Sequence, residues 1–147
     1  IEKLAKKAAA PGIKFNCSDT DRPLDFSFSG IKTAVLYYIK KHSLGKDKNC
    51  LSNIAASFQE AVIDTLIKKS FLACRLKNVK CLVIGGGVVA NSRLREKFNQ
   101  QAKEIGLNVY FPAHDFCMDN AAMVAGLGYQ LFRKGIVSGL DLNAGLA

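Results

Sequence analysis

Apolar residues recur every three or four positions from Ala55 through Phe58, Val62 and Leu66 to Leu72, and Lys69 falls on the same face. That period keeps one side of an α-helix apolar and predicts the longest helix of the chain, with Ser52 placed to cap its start. Ile31, Val35, Tyr38 and Ile39 repeat at the same spacing, so another helix is expected from Ser29, a candidate N-cap, to about Lys41. Ile1 to Ala10 reads as a short helix already under way, stopped by Pro11 and Gly12. A helix in progress at the first residue makes a truncated chain, with its missing part upstream, the expectation. Lys14 to Asp25 carries Asn, Ser, Asp, Thr and Pro, the composition of a loop, and HSLGKDKN from His42 is polar and loop-like as well.

The second half of the chain changes period. Lys80 to Ile84 holds the apolar run CLVI and ends at three glycines, which predicts a strand buried on both faces. Asn91 or Ser92 then caps a helix to Ile105 that is expected to bury Leu94, Phe98, Ala102 and Ile105, with Gly106 closing it. Val109 to Phe111 is a second strand ended by Pro112, and Asp119 or Asn120 opens a last helix through Val124, Leu127 and Leu131 that stops at Gly135. Strand, helix, strand, helix from Lys80 to Lys134 is a βαβα unit, whose strands should be parallel and whose crossover should be right-handed. The fold class is therefore α/β. The chain reads as a single region in which 1–50 is a helical insertion and loop, 51–135 an α-βαβα core and 136–147 an irregular tail. Ligands of such sheets bind beyond the carboxyl ends of the strands.

With 147 residues, 49% of them hydrophobic, the chain can close one sizeable core. No apolar run approaches the roughly 18 residues that would span a bilayer, and no secretory leader pattern opens the sequence, so no membrane association and a cytoplasmic location are expected. Cys17, Cys50, Cys74, Cys81 and Cys117 are odd in number, far apart and without a CxxC pair, which suits a reducing compartment. A formal charge of +9 would attract polyanions such as RNA. The lysines are spread rather than gathered in a stripe, so a solvated basic surface with no partner stands beside that reading.

Two segments carry candidate chemistry, and both follow a strand. Gly85, Gly86 and Gly87 lack a Cβ and can bring backbone N–H groups close to a phosphate or ribose, while the helix behind them points its positive end at the same place. The string is neither GxxxxGK nor GxGxxG, so a tight corner is the competing reading. Asn91 offers donors and an acceptor to a ligand at that turn, or serves as an ordinary N-cap. His114, Asp115, Cys117 and Asp119 crowd after the second strand, and all are metal-ligand types, but their spacing matches no closed zinc site. Either one Asp oxygen from this turn meets a metal whose other ligands lie elsewhere, or Asp119 caps the last helix while His114 is solvated and Cys117 buried.

PLDFSFSGIKTAV from Pro23, GGGVVANSRLR from Gly85 and CMDNAAMVAGLG from Cys117, with IAASFQEAV between them, resemble the TsaD family, also called Gcp or glycoprotease-like. The resemblance covers nearly the whole chain. It implies the C-terminal portion of an enzyme with two RNase H-like lobes of the actin-like ATPase superfamily. Such enzymes transfer threonylcarbamoyl from its adenylate to the adenosine beside the anticodon of tRNA. By the same resemblance Asn91, Gly85 and Gly86 line the site for ATP or threonylcarbamoyl-adenylate. Asp119 ligates one divalent metal ion, iron or zinc, and tRNA and companion proteins of the modification machinery are the partners.

No residue here takes a catalytic role by that carry-over. The family's HxxxH metal pair and SGGHT-like nucleotide loop are absent from this sequence. The chain alone is therefore expected to hold metal weakly, to be inactive, and to leave a sheet edge bare. It should then associate through that edge or be a proteolysed remnant. The competing readings are a kinase or carbamoyltransferase lobe of the same superfamily, an O-sialoglycoprotein endopeptidase-like metallopeptidase, for which no HExxH is present, and a non-catalytic RNA-binding or assembly module.

Overall fold

A computed structural model describes residues 1–8, 12–17, 20–42 and 48–143. Its helices are α1 (Glu2–Ala5), α2 (Ser29–Lys41), α3 (Lys48–Leu76), α4 (Ser92–Glu104) and α5 (Ala121–Arg133), and its strands are β1 (Cys81–Val83) and β2 (Asn108–Tyr110). The strands pair in parallel with Cys81 opposite Asn108 and Val83 opposite Tyr110. The parallel βαβ unit and the α/β class expected from the sequence are therefore present. Pro11 and residues 43–47 of the expected loop lie outside the described residues.

The 29-residue α3 is the spine. Ile63 and Ile67 on one side meet Leu94 and Phe98 of α4, and Leu82, Ile84 and Phe111 close the cluster from the sheet. Phe98 sits edge-on to both Phe71 and Phe111, with ring centroids 5.8 and 6.3 Å away. On its other side Ile54 packs with Ile31 of α2 and Phe15 of the preceding loop. Ala55 and Ala56 let α1 approach through Ala5, the small side chains setting the closeness of that contact.

Several expectations are corrected. Ser52 is not a cap, because α3 begins at Lys48 and the buried Ser52 hydroxyl donates to Asn49 O at 2.8 Å, one turn back. Ser29 is the first residue of α2 and Phe28 its N-cap, with no side-chain capping bond. β1 is buried on one face only: Leu82 and Ile84 turn toward the helices, while Val83 is 75% exposed. The reason is that α3 and α4 contribute to a single core cluster on one side of these strands. Ile105 is exposed instead of buried, since α4 ends at Glu104 and Gly106, at φ +67°, turns the chain into β2. Every residue of α5 is exposed, so the fourth element of the βαβα unit forms but does not join the described core. Among the described residues no helix is long and apolar enough to cross a membrane.

Candidate functional site at the carboxyl edge of the sheet

Parallel pairing puts the turn after β1 and the loop after β2 at one edge, and Ile84 N–H prolongs the pairing by donating to Tyr110 O at 3.0 Å. Gly86 then takes φ +99° and ψ 168°, a conformation that side chains with a Cβ resist. Nothing lies within 4 Å of where a Cβ would stand on Gly85 or Gly86, so both present bare backbone to open space. A 3-10 turn from Gly87 to Ala90 follows, pinned by Val89, which is 3% exposed.

Asn91 is the N-cap of α4, its Oδ1 accepting from Leu94 N–H at 2.9 Å, so the capping role is realised. Its Nδ2 also donates to Gln59 Oε1 at 2.8 Å. Capping and ligand binding are therefore compatible here, because the cap uses the oxygen and leaves an amide proton over. Gly85, Asn91 and Gln59 line one cavity of about 600 Å³, with Phe28 and Lys32 from the segment before and within α2, and Phe58 and Val88 among its apolar walls. Two of the three diagnostic strings thus converge on one space. Its size falls in the range of small-molecule sites.

After β2, a 3-10 turn spans His114–Phe116, and Asn120, not Asp119, caps α5 by accepting from Met123 N–H at 3.0 Å. Asp119 is exposed and makes no hydrogen bond or ion pair among the described residues. His114 is likewise exposed, and Cys117 is buried at 3% exposure. Asp119 does not line the cavity of Gly85 and Asn91; it stands on the neighbouring loop of the same edge.

Arg95 joins the two loops. Its Nε donates to Val89 O and its Nη2 to Pro112 O, both at 2.7 Å, with Cys117 Sγ 3.1 Å from Nη2 and the Phe111 ring centroid 5.2 Å below the guanidinium. One planar fork thereby ties the turn before Asn91 to the loop before Asp119. Sequence reasoning missed Arg95. Its place at i+4 from Asn91 puts it one turn into α4, above the strand ends, and that register was the available signal.

The amino end of α4 is itself occupied from within the chain. Glu2 Oε1 accepts from Ser92 N–H at 3.2 Å and from Ser92 Oγ at 2.5 Å, while Lys6 Nζ lies 2.8 Å away. The hydrogen bonds from Lys6 and Ser92 hold the Glu2 carboxyl down at about 2. The helix end expected to face a ligand therefore meets a carboxylate instead.

Between α3 and α4, Glu60 receives Arg93 Nε and Lys97 Nζ at 2.7 Å each, and Lys97 also reaches Asp64 at 2.6 Å. Burial alone would push the Glu60 carboxyl up, but the hydrogen bonds from Arg93 and Lys97 outweigh it and keep it below the usual range. Lys69, 7% exposed, donates to Thr20 Oγ1 at 3.0 Å and to Asp25 O, fastening the loop that carries PLDFSFSG onto α3. Among the described residues no three His, Cys, Asp or Glu side chains cluster as a metal site.

Residues 1–126 match the family model described as TsaD: tRNA N6-adenosine threonylcarbamoyltransferase. The chain is 48% identical over 120 residues to the tRNA N6-adenosine threonylcarbamoyltransferase of Kosmotoga olearia, covering 82% of this chain and 35% of that protein. It is 45% identical over 146 residues to that of an Anaeromyxobacter species, covering 98% and 44%, and 46% identical over 145 residues to that of Thermotoga neapolitana, covering 98% and 43%. The chain spans less than half the length of each of these relatives. Among solved structures, HypF of T. kodakarensis superposes with a TM-score of 0.62 over 93% of this chain and 17% of its own, at 21% identity, a likeness of fold alone.

Proposed function

Because this chain belongs to the TsaD family of tRNA N6-adenosine threonylcarbamoyltransferases, we propose that it forms the nucleotide-facing C-terminal wall of a threonylcarbamoyl transfer site, with tRNA as acceptor. In that reaction the exocyclic amine of the adenosine attacks the carbamoyl carbonyl of threonylcarbamoyl-adenylate. The new bond is N–C, the bond broken joins that carbonyl carbon to the phosphate oxygen, adenylate leaves, and the amine gives up a proton. What the chain contributes is binding and orientation. Bare backbone at Gly85 and Gly86 lets a ligand approach closely, and Asn91 adds an amide donor.

The observation that carries this reading is the shared cavity of about 600 Å³ between Gly85, Asn91 and the apolar walls. Substituting Asn91→Ser keeps a capping oxygen and removes the amide. ATP binding measured by calorimetry is then expected to weaken roughly tenfold with the fold intact. No ATP binding by the parent chain at millimolar concentration, or unchanged binding by Asn91→Ser, overturns it.

A divalent metal, iron or zinc, fits this chain only as a shared ion. Asp119 offers one exposed, unpaired oxygen donor, and no cluster of three ligand-type side chains stands among the described residues. When bound, such an ion polarises an acyl oxygen. Its remaining ligands would come from outside the described residues, as would companion proteins. The charge of +9 favours tRNA, and all five cysteines are free, in keeping with a cytoplasmic setting.

A further inference from the structure

Gln59 lies on α3, is 8% exposed and lines the cavity of Gly85 and Asn91. The polarity of its amide follows from its neighbours. Leu94 N–H can only donate, so the Asn91 atom 2.9 Å from it is Oδ1; the other end of Asn91 is Nδ2, and Gln59 meets that donor with Oε1 at 2.8 Å. Gln59 Nε2 is left with both protons and no hydrogen bond among the described residues. It is not sealed from solvent either, since among the described residues no buried side-chain polar atom lacks a partner. A donor on a residue this buried, held by a relay that begins at a backbone amide and carried by a residue of the cavity wall, is a feature that recognises an acceptor.

We propose that Gln59 contacts the ligand directly and selects for a hydrogen-bond acceptor on a heteroaromatic ring, a purine ring nitrogen of an adenine nucleotide. The inference rests on the nucleotide reading above and assigns the edge of the base that is read. Phe58, Val62, Leu66, Ile84 and Val88 give the cavity apolar walls suited to a flat ring. A ring presenting only C–H or N–H toward Gln59 leaves Nε2 without its bond, so removing one nitrogen of the correct base is felt while removing the others is not.

The test is calorimetric titration of the full chain and of Gln59→Met with ATP and its 1-deaza, 3-deaza and 7-deaza analogues, each lacking one ring acceptor. The parent chain is expected to bind one analogue roughly tenfold more weakly than ATP and the other two like ATP. Gln59→Met is expected to bind ATP roughly tenfold more weakly and to treat that analogue as it treats ATP. A role exerted only through Asn91 would weaken all four nucleotides alike and leave the discrimination in place, which overturns the assignment. Parent-like ATP binding by Gln59→Met overturns it too, while leaving the nucleotide reading standing. Absence of ATP binding by the parent chain overturns both. Should Gln59→Met fail to fold, Gln59→Glu decides, since it keeps the size and the Oε1 acceptor and removes the donor: one analogue weakened with the parent and not with Gln59→Glu upholds the assignment, and equal binding of all four nucleotides by the parent, or the same discrimination by both chains, overturns it.

Discussion

Gly85 and Gly86 stand side by side with equally open surroundings, yet they differ in what a methyl group would cost. Gly86 holds φ +99°, where an alanine is strained whatever the space, whereas Gly85 carries no such backbone demand. Gly86→Ala is expected to lower unfolding stability by about 1–3 kcal/mol in urea titration. Gly85→Ala should unfold like the parent and weaken ATP binding, because the added Cβ projects into space a ligand would use. Equal stability of the two variants would show that the turn relaxes. Arg95 makes a sharper case: Arg95→Met strands Val89 O and Pro112 O and is expected to cost about 2 kcal/mol in the same titration. Arg95→Lys should restore only part of that, since an ammonium lacks the planar fork that spans both carbonyls. Gly86 and Asn91 were legible from the sequence because their backbone and capping demands are local. Gln59 was not, and of Arg95 only the helical register was, because their partners lie 6 to 32 positions away and are met only once α3, α4 and the strand ends come together.

Helix by helix, burial divides elements that look alike in sequence. α4 turns Leu94, Phe98 and Ala102 inward at 1–2% exposure, while α5, with the same apolar period, leaves Val124 at 73% and Leu127 at 62%. Phe98→Ala is therefore expected to cost about 3–5 kcal/mol, and Val124→Asp to change stability by no more than about 0.5 kcal/mol, both read from urea midpoints. A large loss for Val124→Asp would mean that α5 is covered in solution. Period alone identifies an apolar face and says nothing of whether anything packs on it. The same holds for β1, whose continuous apolar run suggested burial on both sides although one face is bare.

Across the whole molecule, hydrogen bonds to one carboxylate hold the first residues against the site. Glu2 joins α1 to the start of α4 through Ser92, and its carboxyl is held at about 2 against an ordinary 4.5. A depressed carboxyl contributes stability that is fully present above its unfolded value and fades as pH falls through its folded one. Glu2→Gln should thus be less stable than the parent at neutral pH, and the gap in thermal midpoint should close between pH 4.5 and about 2. Glu60, kept below the usual range against the opposing push of burial, changes in the same direction. A gap that persists undiminished at pH 2 would show that Glu2 acts through packing rather than charge.

Local chemistry, legible in the sequence, determined the Asn91 cap of α4 and the glycine stops at Gly106 and Gly135, the parallel order of the strands, the need for glycine after β1 and the identity of the family, but not the starts of α2 and α3. These depend on backbone preferences and on side chains a few positions apart. Which faces are covered, which amide is left with an unmet proton, and which guanidinium clamps the two loops were decided by the tertiary structure. Such features arise only where α3, α4 and the strand ends meet in space, and no periodicity along the chain encodes that meeting.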